Sequence, residues 1–171
     1  METKFFFTDI DGVWTDGSMY YSDKGAELKR FSTYDSAGVL FLKSIGIETV
    51  IITGESNPVV TRRSEKLGIH HVFLGVKNKK ELLTEFCSNH QVLLENQPYI
   101  GDDINDIEML QISRYSYCPI SAPEYTKSCV RHVVNTKGGE GAFRDAVIHY
   151  IKGHHDFEQI LKRVVKNDYR Q

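Results

Sequence analysis

Four short, nearly unbroken apolar runs alternate with segments of helical periodicity, and this alternation restricts the fold more than any other feature of the chain. The runs cover residues 4–8, 48–53, 71–74 and 98–101. Continuous apolar character over four to six residues is expected of strands covered on both faces, as in a parallel sheet. Helical spacing follows at 35–45, where Ala37, Leu40, Phe41 and Ile45 share a face, and at 79–89, with Leu82, Leu83 and Phe86. Residues 58–67 begin with proline, which suits a first helical turn, and 104–110 follow acidic capping residues. A fifth strand is expected near 115–118. Strand and helix signals in alternation predict an α/β fold with a doubly wound, Rossmann-like parallel sheet.

Two segments break the alternation. Residues 18–32 hold β-prone runs on either side of Ser22-Asp23-Lys24-Gly25, the pattern of a hairpin inserted in the first strand-to-helix connection. Residues 156–165 place Phe157, Ile160, Leu161, Val164 and Val165 on one helical face, expected to dock on the body or on a neighbour. No repeat or Pro/Gly/Ser-rich linker divides the 171 residues, so one domain over 1–171 is expected.

In an open parallel sheet, ligands bind beyond the carboxyl ends of the strands. The informative polar residues fall there. Asp9 and Asp11 end the first run, Thr53 and Gly54 the second, and Asp102 and Asp103 the fourth, with Asp106 just beyond. Lys79 follows the third run at the start of a helix. Each has a plain reading: a capping aspartate, a turn, one lysine among Lys77, Lys79 and Lys80. Their convergence on one sheet edge fits phosphoryl transfer better. Carboxylates from two strand ends can hold a hard cation such as Mg2+. One carboxylate can attack phosphorus, and a second can protonate the leaving oxygen and then activate water. A hydroxyl, backbone N–H groups and an ammonium can hold the phosphoryl oxygens.

These residues also carry a resemblance. Asp9-Ile10-Asp11-Gly12-Val13 is similar to the DxDGV signature of the haloacid dehalogenase superfamily. Thr53-Gly54, Lys79 and Gly101-Asp102-Asp103-Ile104-Asn105-Asp106 resemble its later motifs in order and spacing. The resemblance implies Asp9 as nucleophile, Asp11 as general acid/base, Thr53, Gly54 and Lys79 as phosphate holders, and Asp9, Asp102 and the Asp11 carbonyl as Mg2+ ligands. Lys80 competes with Lys79, which is preferred from its position relative to Gly75. Asp103 and Asp106 are left open as further metal contacts.

The hairpin is too short to be a cap domain, which resembles the capless branch that dephosphorylates 3-deoxy-2-ulosonic acid phosphates. That branch implies a sugar acid phosphate as substrate and a homotetramer whose neighbouring subunits cover the site. Gly138-Gly139-Glu140-Gly141-Ala142 resembles the branch's Gly-rich loop; taken alone it reads as a turn before a helix near Phe143. The octulosonate enzymes usually carry Arg after the second-motif Thr-Gly and GGRGA near the end, where this chain has Glu55 and Glu140. Glu55, Arg63 and Lys66 are more similar to the nine-carbon, 2-keto-3-deoxynononate 9-phosphate phosphatases, and are candidate substrate-binding residues; their plain reading is a solvated face.

Composition narrows the alternatives. A formal net charge of -2 with scattered basic residues leaves no footprint for nucleic acid or an anionic membrane. Phe5 to Phe7 is too short to span a bilayer, and the start lacks the pattern of a signal peptide. Cys87, Cys118 and Cys129, odd in number and without a CxxC pair, read as packed, reduced thiols of a cytoplasmic protein. Two rivals stay open. One is a non-catalytic tetramerisation module related to those of sialic acid-activating enzymes, against which the complete motif set argues. The other is a signalling receiver domain, whose acidic pair and acceptor lie on different strands from those seen here.

Overall fold

The structure is a computed structural model describing residues 3–25 and 27–168. Six strands form one parallel sheet: β1 (Phe5–Thr8), β4 (Glu48–Ile52), β5 (His71–Phe73), β6 (Tyr99–Ile100), β7 (Ser116–Pro119) and β8 (His132–Val134). Their order is β5-β4-β1-β6-β7-β8. The chain therefore builds outward from β1 in one direction, then returns to its other side. The reversal at β1 and β6 creates the crevice where doubly wound sheets bind ligands. The hairpin strands β2 (Tyr20–Tyr21) and β3 (Glu27–Leu28) form a separate antiparallel pair.

Strand alternation divides the core into two layers. Phe6, Ile51, Ile100 and Tyr117 face one side, where α1 (Asp35–Ser44), α2 (Pro58–Leu67), α6 (Ala142–His154) and α7 (Phe157–Asp168) contribute buried residues, among them Leu42, Val60, Phe143 and Ile160. Phe5, Phe7, Val50, Ile52 and Tyr99 face the other side, against α3 (Lys79–Asn89) and α4 (Ile107–Ile112). Alternate residues of a strand point to opposite faces, so a continuous apolar run can serve both layers.

Local chemistry sets the helix starts that matter. The Asn57 side chain accepts from Val59 N at 2.9 Å, with Pro58 in the first turn. Asn78 accepts from Glu81 N at 3.1 Å, which makes Lys79 the first residue of α3. The helix expected over 104–110 begins instead as a 3-10 turn, Ile104–Asp106, and becomes α helical at Ile107. Asp103 and Asp106 close a capping box around that turn. The C-terminal helix docks on α1 of its own chain: Phe157 meets Phe41 edge to face at 5.3 Å, and Arg163 donates to Ser44 O at 2.9 Å. The short α5 (Glu124–Lys127) and β8 complete the far edge.

Trp14 lies in the turn after β1, stacked on Phe143 at 4.6 Å, and its Nε1 donates to Thr8 Oγ1 at 2.9 Å. Cys87 and Cys118 are buried and Cys129 is partly buried; all are free thiols. Burial pushes the first two up to about 12, so they are packing groups at neutral pH. Among the described residues, no helix is long and apolar enough to cross a membrane.

Candidate active site

Asp9 leaves β1 at the reversal point and is 4% exposed. Its Oδ1 accepts from Ile10 N at 2.7 Å, and its Oδ2 lies 3.0 Å from Lys79 Nζ. The turn that follows is wound tightly, with the amides of Val13, Trp14 and Thr15 all directed at Ile10 O. Gly12 makes this possible. Its φ is +76°, and a Cβ there would stand 1.8 Å from Asp102 Oδ2. The first and fourth motifs touch through a residue without a side chain.

Gly138 and Gly139 brace the same turn from behind. A Cβ on Gly138 would stand 1.9 Å from Gly12 O, and Gly139 N donates to Val13 O at 3.0 Å. The Gly-rich loop is thus a backbone buttress for the turn that follows Asp9.

Asp9, Asp102 and Asp106 each offer a carboxylate oxygen, all within 4.8 Å of one another. The three are not equivalent. Asp106 is fully buried and its oxygens are engaged: Oδ1 accepts from Lys79 Nζ and Tyr99 Oη, each at 2.6 Å, and Oδ2 from Asp102 N at 3.0 Å and Asp103 N at 3.3 Å. It organises its neighbours. Among the described residues, no hydrogen bond reaches the Asp102 carboxylate, which faces the cavity with Asp9. Asp103 also borders the cavity, but its Oδ1 is engaged, accepting from Ile104 N and from Tyr125 Oη.

Electrostatics follows from this crowding. Burial raises Asp102 to about 8, reinforced by Asp9 and Asp106. Burial and then Asp106 raise Asp9 to about 7, against the opposing pull of Lys79. Burial works against the Lys79 ammonium, but Asp9 and Asp106 outweigh it and raise its pKa. One ammonium faces three carboxyl groups, so the cluster is short of positive charge, which a hard divalent cation would supply. Asp9 and Asp102 have the donor type and the proximity for it; Asp106 has its lone pairs already committed.

A cavity of about 450 Å³ opens over these groups, lined by Asp9, Asp11, Gly12, Met19, Thr53, Gly54, Glu55, Asp102 and their neighbours. Thr53 is 1% exposed, and its Oγ1 accepts from Glu55 N at 3.3 Å. Of the two competing lysines, Lys79 reaches Asp9, whereas Lys80 pairs with Glu108 on the surface at 3.2 Å. Glu55 is exposed at the cavity mouth. Arg63 and Lys66 do not line the cavity. Arg63 Nη2 donates to Ser36 Oγ at 2.8 Å and Ser32 O at 3.3 Å, tying α2 to the start of α1. Lys66 is exposed on α2.

Two partners are absent from the sequence reading. Lys29, just after β3, lies 2.6 Å from both Asp11 oxygens. Tyr99 anchors Asp106 from inside the sheet. A pair of cations, Lys29 and Arg30, set between the apolar Leu28 and Phe31 is the signal that could have marked Lys29; a tyrosine in a buried strand carries no such mark.

A description of the haloacid dehalogenase-like hydrolases matches residues 66–144. The 3-deoxy-D-manno-octulosonate 8-phosphate phosphatase of Haemophilus influenzae is 37% identical over 142 residues, covering 83% of this chain and 79% of that protein. The Moraxella catarrhalis phosphatase of that name, solved with magnesium, phosphate and the sugar acid KDO, superposes with a TM-score of 0.90 at 30% identity, over 94% of this chain and 92% of its own. The cobalt-bound Haemophilus influenzae structure gives 0.82 at 35% identity, over 88% of each chain. Sheet order, strand-end carboxylates and these relatives agree, and the chain belongs to the haloacid dehalogenase-like hydrolases, in the phosphatase branch of the 3-deoxy-octulosonate 8-phosphate phosphatases.

Proposed function

We propose that this chain is a Mg2+-dependent phosphatase that hydrolyses the phosphomonoester of a 3-deoxy-2-ulosonic acid through a phosphorylated Asp9. The observation that carries the reading is the pair of cavity-facing carboxylates, Asp9 and Asp102, beside Lys79 and Thr53 at the switch point of the sheet. Asp9, Asp102 and the Asp11 carbonyl are the groups to hold the metal, which would screen the repulsion between carboxylate and phosphate. Asp9 Oδ attacks phosphorus and forms an acyl phosphate as the sugar oxygen leaves. Asp11 gives that oxygen its proton, then takes one from the water that cleaves the acyl phosphate. Lys79, the Thr53 hydroxyl and the Gly54 backbone hold the phosphoryl oxygens.

Octulosonate 8-phosphate is the substrate named for the relatives, and the strength of those matches supports an eight-carbon ester. A second reading rests on Glu55 at the mouth. A carboxylate where the octulosonate enzymes carry a cation suits the hydroxyl-rich tail of a nine-carbon, sialic-acid-like ester better than a carboxylate ligand. Arg63 and Lys66, outside the single-chain cavity, would reach such a substrate only from a neighbouring copy. A homotetramer packed through the hairpin would provide that neighbour and cover the site.

Steady-state kinetics with the eight- and nine-carbon phosphates tests both levels. Turnover of either should vanish in Asp9→Asn and in excess chelator. Full activity in either condition refutes the mechanism. A kcat/KM at least tenfold higher for one ester decides between the substrates, and Glu55→Ala should narrow that gap if the nine-carbon reading holds.

A further inference from the structure

The return strand of the hairpin ends on the general acid/base. The Lys29 side chain is 0% exposed, and its Nζ lies 2.6 Å from both Asp11 Oδ1 and Oδ2. The Asp11 carboxyl is 22% exposed and lines the cavity; its Oδ1 also accepts from Thr15 Oγ1 at 3.3 Å. Arg30, the next residue, donates to Gly139 O at 3.3 Å and lies 3.6 Å from the Asp16 carboxylate. Two consecutive cations thus fasten the hairpin stem to the nucleophile turn and its glycine buttress.

Shielding an ammonium from water is costly unless it is well paired, so this contact is not the incidental pairing of a surface lysine. An ammonium on both oxygens, with a hydroxyl on one, fixes the orientation of a carboxyl that must otherwise choose among rotamers in an open cavity. Lys29 itself does not line the cavity.

We propose that Lys29 is a positioning residue: it holds the Asp11 carboxyl in the orientation that meets the leaving oxygen and then the attacking water, and so ties catalysis to the hairpin. This rests on Asp11 being the acid/base. Misplacing a catalytic group by about 1 Å can cost on the order of 100-fold. Lys29→Met should therefore lower kcat roughly 10- to 100-fold while KM stays within about twofold, because phosphate contacts are untouched. Lys29→Arg, which keeps a bidentate cation, should recover part of that loss.

A double-mutant cycle with Asp11→Asn provides the decisive readout, using whichever ulosonate phosphate the parent turns over faster. If Lys29 acts through Asp11, Lys29→Met adds little further loss in the Asp11→Asn background. An equal loss in both backgrounds, or an unchanged kcat in Lys29→Met, overturns the proposal. An Asp11→Asn enzyme with parental kcat removes the acid/base reading instead, and the proposal with it. Circular dichroism checks folding; Lys29→Gln, which keeps length and polarity, carries the same cycle if the Met variant does not fold.

Discussion

Asp106→Asn is the sharpest test of the site's internal logic, because the change is nearly isosteric yet no orientation of the amide fits. The carboxylate accepts on both sides: Lys79 and Tyr99 on Oδ1, and the amides of Asp102 and Asp103 on Oδ2. If the Asn oxygen faces Lys79, its NH2 confronts two backbone donors. If it is flipped, the NH2 confronts the ammonium and leaves Lys79 with Asp9 alone. A buried polar group deprived of its partner costs about 1–3 kcal/mol, so two such groups cost about 4 kcal/mol at mid-range. For a chain of this size that corresponds to a fall in Tm of roughly 8–16 °C. Removing one carboxylate also relieves the crowding on Asp9 and Asp102, which Asp106 raises. That relief matters most without a cation, so the fall should be smaller in chelator than in saturating magnesium. Thermal melts of parent and variant in both buffers read the effect, with kcat measured alongside to report the displaced Lys79. A Tm within about 2 °C of the parent in magnesium, less than ~1 kcal/mol, would refute the assignment of Asp106 as the organising acceptor.

Three further outcomes follow from particular contacts. Gly12→Ala should fold but bind magnesium at least about tenfold more weakly by calorimetry, on the order of 1.4 kcal/mol, because the added carbon stands 1.8 Å from Asp102 Oδ2; unaltered affinity would contradict the close approach. Asp35 is fully buried, and burial lifts it from 3.8 to about 7 in spite of Arg144 N and the nearby Arg144 and Arg63 charges. The folded chain then holds the proton more tightly than the unfolded one, so stability falls as pH rises from about 4 to about 7. Denaturant melts in magnesium at pH 5 and pH 8 should show that loss, and Asp35→Asn should shrink the gap; an equal gap in the variant would point to other groups. Tyr20, Tyr21 and Leu28 are 49%, 74% and 62% exposed on the hairpin. Tyr21→Asp should therefore shift sedimentation toward smaller species with a fall in activity, and unchanged assembly would exclude the hairpin as its interface.

The sheet was legible because its central strands are buried on both faces and must be apolar throughout. Phe5 to Thr8 and Glu48 to Ile52 announce themselves for that reason. β8 did not: His132–Val134 is short, lies at the edge and begins with a half-buried histidine, so neither length nor continuity marks it. The positions of Asp9, Thr53, Lys79 and Asp102 were legible because doubly wound topology fixes where strand ends converge. The division of labour among the acidic residues was not. Asp102, Asp103 and Asp106 look alike as letters, and only the direction of each carboxylate separates a cavity-facing group from an internal acceptor. Lys29 was hidden for a related reason: it meets Asp11 across an 18-residue excursion whose return register depends on the hairpin. Arg63 and Lys66, three apart on α2, suggested a shared substrate face, whereas the fold commits Arg63 to Ser32 and Ser36.

The stacking of Trp14 on Phe143 makes the molecule its own spectroscopic probe. Trp14 is the sole tryptophan of the chain, 1% exposed, and is joined to the peptide before Asp9 through Thr8. An indole held against a phenyl ring and bonded through its N–H emits according to that geometry. Phosphorylation of Asp9 or entry of a cation, if either moves the turn by a fraction of an ångström, will register as a change in fluorescence intensity without any label. If Asp9 is the nucleophile as proposed, rapid mixing can then follow the formation and decay of its acyl phosphate in the unmodified protein.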